Sequence, residues 1–213
     1  MKTRLYTAAI AASLVAAFAQ SSSAATVSIS NESYSASPYA GAGFDTLASS
    51  STGFFTQSTA GSIANVQRSP FASSLTTYSA ISNNAVFTAG SATYNYVAGL
   101  TSFSLLWGSP DSYNTVKFYS GQNGTGLEST FTGSSLADPT KGIGYDLVTF
   151  SASGGTIGSV VLSDSGQPAF EYGNVTPTPL PAALPLFASA LGIGGVFLRL
   201  RKKKAAKSQV AFA

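Results

Sequence analysis

Eight carboxylates stand against no histidine and no cysteine, so acid–base chemistry on this chain would have to come from Asp and Glu. Their absence excludes a Ser-His-Asp triad, a Cys nucleophile and a zinc site built from nitrogen and sulfur ligands. Two facing carboxyl groups suffice for glycoside hydrolysis, and Asp111, Asp146 and Glu171 are the candidates. Solvated loop carboxylates are the preferred reading, since Asp and Glu are seldom buried, and no catalytic residue is assigned. Calcium takes oxygen ligands from loop carboxylates and carbonyls, which makes Asp111 in "GSPDSYN", Asp138 in "LADPTKG" and Asp164 in "SDSGQP" its candidates. No EF-hand spacing or Asp-Gly repeat accompanies them, and Asp capping its own turn is preferred, so no metal or cofactor is assigned. Trp107, the single Trp, lies near Tyr113; the pair is a candidate platform for a sugar ring, although Leu105 and Leu106 favour burial at a strand end.

The elements that must position these residues read as strands. "NAVFT", "ATYNYV", "SFSLLWG", "NTVKFYS", "ESTFTG", "YDLVTFSA", "TIGSVVLS" and "AFEYGNV" are short β-branched and aromatic runs. Ser-Pro-Asp, Gly-Gln-Asn-Gly and Ser-Gly-Gly punctuate them as turns. In "NTVKFYS", Val116, Phe118 and Ser120 alternate with Thr115, Lys117 and Tyr119, as in a half-buried strand. Many short strands with polar turns predict an all-β fold, an antiparallel β-sandwich of jelly-roll-like form. Residues 31–82 are rich in Ser, Ala, Thr and Gly with scattered aromatics, and predict strands joined by long loops.

Both ends carry topogenic patterns. "MKTRLYTAAIAASLVAAFAQSSSAA" has a positive start at Lys2 and Arg4, an apolar stretch and small residues before Thr26, which predicts a signal peptide over residues 1–25. Residues 26–174 then form an exported domain and "VTPTP", residues 175–179, an extended linker. Residues 180–198 hold no ionisable group, and about 19 residues at about 1.5 Å each reach close to the roughly 30 Å of a bilayer core. A transmembrane helix is predicted there. Arg199, Arg201, Lys202, Lys203 and Lys204 follow as a stop-transfer cluster that keeps the tail, residues 199–213, in the cytoplasm. Once these segments are set aside, only Arg68, Lys117 and Lys141 face eight carboxylates, a net charge of −5. The basic character of the whole chain is therefore topogenic and implies no nucleic acid partner.

The order of these signals, "TPLPAALPLFASALG" and then "RLRKKK", resembles the PEP-CTERM sorting domain in its Val-Pro-Leu-Pro-Ala variant. Thr178 stands where that variant usually has Val, and Pro179, Leu180, Pro181 and Ala182 match the rest of the motif. "SFSLLWGSPDSYNTVKFYSG" and "SGQPAFEYGNV" are similar to segments of the β-rich domains that precede such tails. The resemblance implies an exported surface or extracellular-matrix protein of a Gram-negative bacterium. Its partner would be an exosortase-type enzyme, with cleavage near Pro179 to Pro181. It further implies a precursor anchored in the inner membrane and then a cell-surface or extracellular product, with exopolysaccharide binding as the alternative role.

Overall fold

The computed structural model describes residues 25–34, 47–63, 67–71, 75–82, 88–137 and 145–179. The expected signal peptide up to residue 24, the expected membrane span and the basic tail lie outside them. Among the described residues, no helix is long and apolar enough to cross a membrane.

The described chain is all-β and antiparallel. Its strands are β1 (Thr26–Tyr34), β2 (Ser50–Gly53), β3 (Phe55–Ala60), β4 (Thr77–Ile81), β5 (Gly90–Gly108), β6 (Asn114–Tyr119), β7 (Leu127–Thr132), β8 (Tyr145–Ser153), β9 (Ile157–Asp164) and β10 (Phe170–Pro179), with one 3-10 turn at Gly133–Ser135. The path of hydrogen-bonded neighbours runs β3-β4-β10-β5-β9-β6-β7, with β8 joining β1 to β5 and β2 joining β5.

β5 organises the whole. Its first half pairs with β2 and β9, and its second half with β8. "ATYNYV" and "SFSLLWG", expected as two strands, are thus one strand of 19 residues. The register breaks between Asn95 and Leu100, where Val97 stands exposed and Gly99 takes a φ of +73°. A side chain at Gly99 would be strained at that φ and would also meet Thr156 Oγ1 at 2.8 Å. Small and β-branched residues let the ladder bend there without ending.

Period-2 alternation then sends Ala92, Tyr94, Phe103, Leu105 and Trp107 from both halves of β5 into one buried cluster with Val116, Phe118, Val148, Phe150, Phe170 and Tyr172. Phe118 on β6 and Phe150 on β8 meet at 4.7 Å between ring centroids, although these strands share no ladder. A second apolar cluster of Phe71, Tyr78, Ala80, Leu106, Tyr145 and Ala169 lies on the opposite side of the same strands, as the alternation of Leu106 with Leu105 and Trp107 requires.

Residues 175–179 differ from the expected linker. They continue β10, Val175 is fully buried, and the Thr101 hydroxyl donates to the Thr178 carbonyl. A free sheet position beside β5 overrides the proline-rich composition, because Pro177 and Pro179 lie toward the end of the strand, where it is partly or fully exposed.

Candidate functional site

The polar residues of interest gather where β5, β6, β9 and β10 end. Asp111 sits in the short connection from β5 to β6, and its carbonyl accepts from the backbone N–H of Asn114 and of Gly133, each at 3.1 Å. The Tyr113 hydroxyl donates to Asp111 Oδ2 at 2.8 Å. On the next strand pair, Asn114 of β6 lies directly opposite Asp164 of β9, with both side chains on the inner face. Asp164 Oδ1 accepts the N–H groups of Gly166 at 2.7 Å and Gln167 at 2.8 Å, which is the turn-capping role expected of Asp.

Other polar atoms at this end are left unsatisfied. Among the described residues, the buried Asp164 Oδ2, both polar atoms of the buried Asn114 amide and the buried Trp107 Nε1 have no hydrogen-bond partner. Glu171, on the outward face of β10, is 3% exposed; its Oε1 accepts the Arg68 backbone N–H at 2.7 Å while Oε2 has no partner. Burial, above all, raises the Glu171 carboxyl well above the ordinary glutamate range. The Arg68 N–H and the residue's own backbone N–H pull it back in part, and the charges of Asp111 and Asp164 push it further up. Asp164 is also raised, first by burial and then by Asp111, against the lowering effect of the Gln167 and Gly166 N–H groups and the Ser82 hydroxyl.

The candidate carboxylates therefore sort differently from the expectation. Asp111, Asp164 and Glu171 lie within reach of one another's charge. Asp146 belongs elsewhere: its Oδ1 accepts from Asn31 Nδ2 at 2.8 Å, and Asn31 also bonds both the N–H and the carbonyl of Ala137. That clasp ties β1 to β8 and to the chain after the 3-10 turn. Among the described residues, no three carboxylates approach closely enough to hold a metal ion, and Asp138 lies outside them. The preferred reading of the paired-carboxylate candidates as solvated loop residues fails for Asp146 and Glu171, both of which are buried.

The candidate sugar platform does not form. Trp107 is fully buried, with its ring stacked on Phe170 at 4.8 Å, so neither face is open. Its place between Leu106 and the strand end favours this burial, as the sequence indicates. Tyr113 is half-buried and its hydroxyl is committed to Asp111. Of the sorting motif, Thr178 and Pro179 are exposed at the end of β10, and Leu180, Pro181 and Ala182 lie outside the described residues, as do Arg199, Arg201, Lys202, Lys203 and Lys204.

Sequence reasoning missed Asn114 and the covering of Glu171. Asn114 carried a signal, because it begins the inward register Asn114, Val116, Phe118. Comparison with known proteins returns no matching family model, no matching curated protein and no matching solved structure.

Proposed function

We propose that this chain is the precursor of a non-enzymatic, exported cell-surface or extracellular-matrix protein whose C-terminal signal is handled by an exosortase-type membrane enzyme. One observation carries the reading: among the described residues, β1 begins at Thr26, next to the expected signal cleavage, and β10 reaches Pro179, inside the sorting motif. Between those positions the described strands bury a core that draws on residues from Val27 to Val175. The precursor would be held in the inner membrane by residues 180–198, with the basic tail in the cytoplasm, until processing delivers the β-unit to the surface or the medium. For the β-unit itself we favour an antiparallel sandwich of jelly-roll-like form, on two supports: the division of β5 between different partners and the Phe118–Phe150 contact between unpaired strands. Burial of Trp107 weakens the alternative of exopolysaccharide binding.

The test is the intact mass of the protein from a Gram-negative host with and without the matching enzyme. With the enzyme, the released form should begin at Ala25 or Thr26 and end near Pro179 to Pro181. Pro179→Ala combined with Pro181→Ala should leave the precursor inserted but unreleased, because both prolines of the recognition motif are removed while the apolar span and its basic stop are kept. A released protein that still begins at Met1 or carries residues 199–213 overturns the reading.

A further inference from the structure

Two glycines leave a trough on the outer face of the sheet, and residues 67–71 lie in it as a strap. A Cβ at Gly173 of β10 would meet the Phe71 ring at 2.8 Å, and one at Gly108 of β5 would meet the Glu171 Cβ at 3.1 Å and the Pro70 Cβ at 3.5 Å. Ser69, Pro70 and Phe71 are buried in consequence. The strap is moored at its start by the Ile63–Gln67 backbone pair and by the Ser69 N–H donating to Ser62 Oγ at 2.9 Å. Between the two glycines stands Glu171, whose bond to this cover is the one from the Arg68 backbone N–H to Oε1.

We infer that residues 67–71 form a proton-held strap, closed over β10 while the Glu171 carboxyl is neutral and opened when that carboxyl ionises. A buried carboxylate needs several donors to offset its lost hydration. Glu171 has the Arg68 N–H and its own backbone N–H, with Oε2 facing no donor. The groups around it supply no relief. Tyr78 on β4 gives its hydroxyl to the Gly61 carbonyl, Tyr113 gives its own to Asp111, and Asp111 and Asp164 are both acidic. On the strap, Arg68 is exposed and its charge is not what lowers the Glu171 carboxyl, and Tyr145 on β8 packs in the apolar cluster with Phe71 and Tyr78. Among the described residues no further donor is left, so water is the donor that opening supplies, and the strap separates Glu171 from it. The sign is that of a raised group: closure is complete below the ordinary glutamate range and is lost as pH climbs through the raised value.

Hydrogen exchange of the full chain in detergent, read by mass spectrometry on peptides spanning residues 67–71 and corrected for intrinsic rates, tests this between pH 5 and 9. Between the ordinary glutamate range and the raised value, protection should fall by about tenfold per pH unit, the slope of one proton, and level off above it. Glu171→Gln, which keeps the Oε1 acceptor without the charge, should give a flat profile. Asp111→Asn should move the transition to lower pH while the fold is unchanged. A flat profile for the unmodified protein, or an equal slope in Glu171→Gln, overturns the inference. If Glu171→Gln does not fold, an unmoved transition in Asp111→Asn overturns it instead. Calcium chloride that restores protection at pH 8 would also overturn it, by making a cation and not a proton the partner of Glu171.

Discussion

The ring-filled middle of the interior and its polar end are equally buried, but they are stabilised on different terms. In the middle, Phe118 packs against Phe103, Phe131 and Phe150 with centroids 4.7 to 6.1 Å apart, ring against ring, with the Tyr96 hydroxyl beside Phe103 as an unpartnered polar atom but no carboxyl among them. At the end, Asn114, Asp164, Trp107 and Glu171 are buried with polar atoms that no neighbour satisfies. The first arrangement is insensitive to solvent conditions other than those that weaken apolar burial. The second stores a desolvation cost that protons can relieve, which makes it the part of the molecule able to respond to its surroundings.

Four substitutions can break or sharpen this contrast. Phe118→Ala empties the centre of the ring cluster and should cost about 3–5 kcal/mol in denaturant unfolding; a cost under about 1 kcal/mol would mean the middle is loosely packed. Gly173→Ala drives a methyl against Phe71 and should cost about 1–3 kcal/mol, with faster exchange confined to residues 67–71. Tyr172→Phe removes one hydroxyl of the buried Tyr94–Tyr172 pair, 3.0 Å apart, and should cost about 0.5–1.5 kcal/mol. Asn114→Leu should be the mildest, within about 1 kcal/mol of the parent or slightly stabilising, because an unpartnered amide is exchanged for an apolar group of similar size. A clear loss in Asn114→Leu, measured in the same unfolding experiment, would show that the polar end is satisfied after all.

Much of the strand content was legible. "NTVKFYS", "ESTFTG" and "YDLVTFSA" map onto β6, β7 and β8, and the inward register of Val116 and Phe118 is the one observed. The Gly-Gln-Asn-Gly turn also forms, with Asn123 and Gly124 at positive φ and the Asn123 side chain bonded to Asn95. Legibility failed where the partner is distant. Nothing in "SATYNYVAGLTSF" marks the bend in β5 as a bend and not an end, since continuation depends on β8 and β9 lying alongside. Nor does "VTPTP" reveal that β5 will take it up as strand. For the candidate site, sequence named Asp111, Asp164 and Glu171 but grouped Asp146 with two of them, whereas Asn31, more than a hundred residues away, holds Asp146 apart.

By itself the sequence determined the period-2 pattern within each uninterrupted run, Phe170 and Tyr172 to one face and Glu171 and Gly173 to the other, but not the irregularities that return Val175 to the cluster of Tyr172 and Phe103 to that of Tyr94. Composition also settled that His and Cys chemistry is absent. Only the tertiary structure decided whether that second face meets water. Alternation fixes direction but not cover, and the cover for Glu171 comes from a strap 103 residues earlier in the chain, seated there because two glycines leave it room.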